Sequence, residues 1–256
     1  APKRVGPPIR VQAPGSRKHV DKLPSMGYYR IMKTSEALQI IGGLSNTKKM
    51  DCFSYGLPAL ECKTGSKLRK IPGSTCYNCY AMKGCYVFPD VKKAQYRRLK
   101  SLKRSTWVRA MATAINSKKS TLFRWHDSGD VQDLDHLNKI FEVCKLTPTK
   151  QHWLPTREAW IRDHAKRFPK NLIVRLSMPM VDQAPAGSWD NTSTVSSSAT
   201  SKSCAAFRTD KTRTTHSLAD FNAMNKKVKK ELDLGHCGSC KKCWNKKISN
   251  VNYSRH

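Results

Sequence analysis

Between residues 122 and 178 the sequence alternates short apolar runs with longer stretches of helical spacing, and that alternation restricts the fold more than any other feature. L-F-R-W-H-D (122–127), Q-H-W-L-P (151–155) and N-L-I-V-R-L-S-M (171–178) read as strands. The segments from Asp133 to Cys144 and from Arg157 to Arg167 read as the helices between them. Strands separated by helices of this length imply β-α-β units and a parallel sheet. Right-handed crossovers then set the strands side by side with helices outside, as a partial (β/α) barrel or an open sheet. The fold class is therefore α/β, with a Cys-rich C-terminal segment packed on it.

Around this centre the chain is easily divided. Residues 1–25 hold five prolines, six Lys/Arg and one acid without hydrophobic period, which reads as a basic extended arm. Residues 26–256 read as a single α/β domain whose segment 204–256 binds metal. Asp90, after Pro89, is placed to cap a helix running to about Arg104, and Ser105 to cap a second through Asn116. The Ser, Thr, Gly and Pro between Val181 and Ser203 suggest a long surface loop, and a final helix is expected from His216 to Leu232.

In parallel α/β folds ligands gather at the carboxyl ends of the strands. Here those ends are H-D-S-G-D (126–130), L-P-T-R-E (154–158) and R-L-S-M-P-M (175–180), so His126, Asp127, Asp130, Arg157 and Arg175 are the candidate catalytic residues. Strand alternation sets Arg124 and His126 on one face, and Arg175 and Ser177 on one face. Such a polar stripe means a ligand-lined interior, a half-exposed face, or a buried network of mutually satisfied groups. Asp127 and Asp130 are candidates for a divalent ion, while Asp130 is equally placed to cap the next helix.

Near the C-terminus, H-C-G-S-C-K-K-C-W (236–244) sets Cys237, Cys240 and Cys243 at two-residue intervals. Three thiolates at this spacing can wrap one face of a [4Fe-4S] cubane whose fourth cysteine comes from elsewhere. Cys204 is the nearest candidate, and Cys76 or Cys79 of T-C-Y-N-C-Y are the alternatives. Gly238 and Ser239 permit a tight turn, and Trp244 can shield a cluster from water. Zinc is the rival, because two C-x2-C knuckles make a tetrahedral tetrathiolate site. Zinc ribbons keep their knuckles about 15–20 residues apart, however, and these are far apart. Cys52, Cys62, Cys85 and Cys144 have no such pattern.

The 48 Lys+Arg against 18 Asp+Glu leave a formal charge of +30, which speaks to partners: nucleic acid, DNA or RNA, or another polyanion. Between residues 91 and 119 there are ten Lys/Arg and no acid, and Lys93, Arg97, Lys100 and Arg104 recur on one helix face. These four are the candidate nucleic-acid contacts. No run approaches the roughly 18 apolar residues of a membrane span, and the first residues lack a signal-peptide core, so a cytoplasmic protein without membrane association is expected.

I-P-G-S-T-C-Y-N-C-Y-A-M-K-G (71–84), F-R-W-H-D-S-G-D (123–130), W-L-P-T-R-E (153–158), V-R-L-S-M (174–178) and the C-x2-C-x2-C-W run followed by V-N-Y-S-R-H (251–256) resemble the bacteriophage gene product 88 family. The resemblance implies a phage-encoded protein with clustered cysteines, made in the cytoplasm of a bacterial host, and supplies no reaction. It also implies that Cys76, Cys79, Cys204, Cys237, Cys240 and Cys243 are the family's cysteines. Ala205 departs from the proline that tends to follow Cys204 there. A more distant likeness is to radical S-adenosylmethionine enzymes, which pair a (β/α) barrel with a cluster, but their C-x3-C-x2-C loop is missing.

Three functions follow: an iron–sulfur protein that contacts nucleic acid through its basic surface, a redox or radical-type enzyme acting at the strand edge, and a structural zinc protein.

Overall fold

The computed structural model describes residues 32–47, 49–200 and 203–255, so the expected basic arm, 1–25, lies outside the described residues. Seven strands lie side by side in chain order: β1 (Ser45–Asn46), β2 (Phe53–Tyr55), β3 (Leu122–Trp125), β4 (Gln151–Thr156), β5 (Leu172–Ser177), β6 (Thr192–Ser196) and β7 (Asn250–Ser254). Only β1 is antiparallel to its neighbour. The sheet is open rather than closed into a barrel.

Its two faces differ in what covers them. Tyr55, Phe123, Trp125, Leu154 and Val174 point to one side, where α1 (Thr34–Ile41), α4 (Trp107–Asn116) and α5 (Leu134–Leu146) bury them in the main core. Trp153 and Ile173 point to the other side and pack with Cys52 and Trp244, so the C-terminal segment covers that face where helices would otherwise be expected. Arg124 and Arg175 belong to this second face, as the register Arg124↔Trp153 and the alternation along β5 require.

The three strands and the helix before β4 fall where the sequence sets them; other elements differ, each for a local reason. β3 stops at Trp125 because His126 takes a left-handed backbone, φ 57. Alternation therefore ends there, and the His126 ring lies with Trp125 and His136 rather than with Arg124. Asp133 rather than Asp130 caps α5, its carboxylate accepting from His136 N at 2.8 Å. The stretch after β4 is 3-10 helical over Ala159–Arg167 instead of α-helical; only Ile161 in it is buried, too little to seat an α-helix on a core. α3 (Pro89–Ser101) begins with proline at its first position, Asp90 in its first turn and Phe88 as its cap residue. Arg104 therefore lies beyond its end, and Thr106 rather than Ser105 precedes α4. The expected final helix is two, α6 (Leu218–Ala223) and α7 (Lys226–Glu231), because Asn225 starts a new helix by accepting from Val228 N.

The largest correction is β6, inside the Ser/Thr-rich stretch that reads as a loop. T-S-T-V-S (192–196) is β-branched as well as polar, and β7 satisfies the hydroxyls of Thr192, Thr194 and Ser196 while Ser193 donates to Ser177 of β5. Thr192 and Thr194 donate to the side-chain carbonyls of Asn250 and Asn252 at 3.0 Å, and Asn250 Nδ2 donates to Thr194 at 3.0 Å.

Three buried imidazoles on the helical side make stability depend on pH. Burial pushes His126 down to about 4, His152 to about 3, and His136 well below its ordinary range. The unfolded chain takes these protons near pH 6.5, so the stability they contribute is present above that pH and lost as pH falls toward 4. Each imidazole contributes a slope of about 1.4 kcal/mol per pH unit. Asp130, raised to about 6 by burial, acts in the opposite sense: its stabilising protonated form is lost as pH rises through 6, which offsets one such slope. Urea titrations at pH 7 and pH 5 are expected to show a net loss of several kcal/mol at pH 5. Equal stabilities would mean that these rings are solvated.

Candidate metal centre

On the second face of the sheet the C-terminal segment is held by its backbone and by two tryptophans. Trp244 stands edge-on to Trp153, ring centroids 5.1 Å apart, and its indole N–H donates to Phe123 O at 3.1 Å. The turn that carries the cysteines closes through Cys240 N to Cys237 O at 3.1 Å, with Gly238 at φ 55, a left-handed conformation that suits glycine. Cys237 N donates to Lys49 O at 2.9 Å, and Cys204 N to Asn252 O at 2.6 Å, which fixes the four cysteines relative to β7 and the β1–β2 loop.

Cys204 comes into the company of the run. Burial, and then the neighbouring Cys243, Cys204 and Cys240, push the Cys237 thiol up to about 12. Burial raises Cys243 to about 11, with Cys204 adding to the rise while the Tyr253 hydroxyl, 3.1 Å from its sulfur, and Arg175 oppose it. Cys204 is raised by burial and by Cys240, while a hydrogen bond from the Ala206 N–H counteracts the rise. These thiols surrender their protons only to a strongly binding cation or cluster.

Two arginines face this group without a carboxylate ion-pair partner among the described residues. Arg175 is fully buried and donates to five carbonyls: Lys242 at 2.9 Å, Cys243 at 3.0 Å, Asn245 at 2.8 Å, Ile248 at 2.9 Å and Thr192 at 3.3 Å. It is a clamp that shapes the loop after Cys240, not a residue at an open strand edge. Arg124 lies over Trp153, 4.8 Å from the ring centroid, and its charge is felt by Cys237 and Cys243. Its Nε is buried without a hydrogen-bond partner. The Asp127 charge reaches Arg124 through space without an ion-pair contact, and two cations beside four thiols suit an anionic guest. Among the described residues no group of three or more His, Cys, Asp or Glu is arranged as a cage for a single metal ion.

Cys76 and Cys79 are elsewhere. They lie with Cys62, whose thiol is raised by burial and then by Asp130, Cys79, Cys76 and Glu158. Spacing alone leaves Cys62 without a pattern; the one local signal is Gly65, an unfavourable residue inside α2 (Lys63–Leu68).

The remaining strand-edge candidates are dispersed. His126 Nδ1 lies 3.1 Å from Tyr55 O. Asp127 accepts from Ser54 at 2.6 Å and from Tyr86 at 3.2 Å. Asp130 accepts from Thr156 Oγ1 at 2.7 Å, Val131 N at 2.8 Å and Arg157 N at 2.8 Å, which ties the ends of β3 and β4 together and leaves it as neither helix cap nor free ligand. Arg157 reaches Cys76. On the helical side, Arg97, Lys100 and Arg104 line a groove of about 370 Å³ with Gln39, Ile40, Ser101 and Lys103, whereas Lys93 is exposed outside it. Among the described residues no helix is long and apolar enough to cross a membrane.

A family model described as Gene product 88 matches residues 31–246. No curated protein and no solved structure matches the chain.

Proposed function

The chain belongs to the gene product 88 family, and we propose that it is a phage-encoded iron–sulfur protein of the host cytoplasm, with a [4Fe-4S] cluster on Cys204, Cys237, Cys240 and Cys243 and a basic surface for nucleic acid. The observation that carries the cluster is the gathering of four thiols from two distant segments near Arg124 and Arg175, neither of which makes a carboxylate ion pair among the described residues. A cubane with four thiolates carries net negative charge, which those arginines offset, and Trp244 and Tyr253 cover its approach. Such a cluster would fasten the C-terminal segment to the sheet and supply a site for one-electron transfer. Protein purified without oxygen is expected to contain iron and acid-labile sulfide and to absorb broadly in the visible. Zinc in place of iron would remove the proposal.

Nucleic-acid contact is supported by the charge of +30 and by the groove of Arg97, Lys100 and Arg104. Replacing those three with alanine is expected to weaken duplex DNA binding at every sequence and to reduce the slope of log K against log salt by about 2 to 3. Filter binding between 50 and 200 mM salt, values set by that same counterion argument, measures it. An unchanged slope would place the contacts elsewhere on the surface.

A further inference from the structure

We propose that Cys62, Cys76 and Cys79 form a second iron–sulfur site, a [4Fe-4S] cluster on three protein thiolates with one iron free of protein ligand, at the carboxyl edge of the parallel sheet.

The three thiols come from two turns that the sheet positions. Cys62 is the residue before α2, and Glu158, at the end of β4, holds the start of that helix by accepting from Thr64 N at 2.9 Å and Thr64 Oγ1 at 3.0 Å. The turn with Cys76 and Cys79 is stapled to the end of β5: Thr75 N donates to Pro179 O at 2.8 Å, and Val181 N to Gly73 O at 3.0 Å. Gly65 makes room between them. A Cβ there would lie 3.6 Å from the Cys62 sulfur and 3.8 Å from the Cys76 sulfur, and only 3.0 Å from the Cys62 Cβ. A glycine in the middle of a short helix is unfavourable for the helix, and here it keeps the space beside two sulfurs clear.

The remaining thiol is displayed as Cys204 is. Cys79 has φ −52, ψ 122 and Cys204 φ −52, ψ 123; each precedes a 3-10 turn and accepts the N–H of the residue two further on, Ala81 and Ala206. Backbone N–H groups turned toward sulfur in this way stabilise metal-bound thiolates. Cations are present too. Arg157 Nε donates to the Cys76 sulfur at 3.1 Å while its Nη1 is fixed by Ser177 O at 2.7 Å and Met178 O at 2.6 Å, and the Arg69 charge reaches Cys79.

Asp130 and Glu158, the two acids whose charge acts on Cys62, have both carboxylate oxygens engaged by hydrogen bonds within the fold and are not free to serve as a fourth ligand. The three cysteines are half-buried, which leaves the site partly open to solvent. With Arg157 and Arg69 beside it, the iron free of protein ligand would take a small anionic ligand, at the strand edge where α/β folds bind theirs.

The test is iron and sulfide analysis of the full chain after anaerobic reconstitution, which does not depend on the four-cysteine site. The wild type is expected to hold about eight irons, with C62S/C76S/C79S and C237S/C240S/C243S each keeping about four. Cyanide added to the reduced protein is expected to change the EPR spectrum of C237S/C240S/C243S, whose cluster has an open iron, and not that of C62S/C76S/C79S. Should the first triple variant fail to fold, G65V, which crowds the sulfurs, is expected to lose at least half of the second site's iron. About four irons in the wild type, all retained in C62S/C76S/C79S, would overturn the second site. About four irons lost entirely in C62S/C76S/C79S would keep it and remove the four-cysteine proposal instead.

Discussion

Replacing Cys237 with serine is expected to empty the four-thiolate site and loosen the whole C-terminal segment. Burial and then Cys243, Cys204 and Cys240 raise Cys237 to about 12, so it is the thiol on which all three of the other proposed ligands act. Serine keeps the backbone N–H donated to Lys49 O, and the turn closed by Cys240 N survives. The loss therefore reports on the sulfur. Iron content should fall by about four atoms per chain. Because metal-binding energy is folding energy for a site that does not exist in the unfolded chain, stability should fall by several kcal/mol. Cys144→Ser is the control: that thiol is buried in α5 among core residues, and its replacement should leave iron content unchanged. Undiminished iron in C237S would sink the assignment. Metal analysis and thermal melts on the two variants decide it.

Arg175→Met is expected to be the most damaging substitution of a cation in the chain. The guanidinium is fully buried and serves five carbonyls, four of them in the loop from Lys242 to Ile248. Hydrogen bonds from charged donors contribute about 1.5–3 kcal/mol each; without the guanidinium, Lys242, Asn245 and Ile248 would keep one donor apiece, Asn245 N, Ile248 N and Asn191 Nδ2. Since the five act together rather than additively, a loss of roughly 4 kcal/mol is expected, which for a domain of this size lowers Tm by roughly 10 °C. Arg175→Lys should recover only part of it, because an ammonium offers three donors and no planar fork. Arg162→Met, on the exposed side of the chain, should stay within about 0.5 kcal/mol. Limited proteolysis should find R175M newly cleavable after Lys241 or Lys242 while the β3–β5 core resists. A melt within 2 °C of wild type, about half a kcal/mol on the same scale, would mean that the loop holds itself in place.

Arg175 also illustrates why the strand-edge residues were hard to read. An arginine near the end of a parallel strand looks the same in sequence whether it meets a substrate or a set of carbonyls. The difference lies in a loop 67 to 73 residues further on. His126 misleads for a shorter-range reason: one left-handed residue ends the strand and moves its ring to the helical side, and alternation has no means of registering that. Composition conceals β6, since five polar or β-branched residues become a strand only when Asn250 and Asn252 on one side and Ser177 on the other satisfy their hydroxyls.

The β3-α5-β4-β5 centre, the α/β class and the C-x2-C-x2-C turn are written in the spacing of consecutive residues, whereas the expected basic helix face is not kept whole, since Arg104 falls beyond α3 and Lys93 outside the groove. The tertiary structure alone decided that the sheet stays open, that the C-terminal segment covers one face of it, that Cys204 joins the run, and that Cys62 joins Cys76 and Cys79. Those outcomes depend on which loops the sheet register brings together. Thiols tens of residues apart in the chain become neighbours only through that register, and local spacing carries no trace of it.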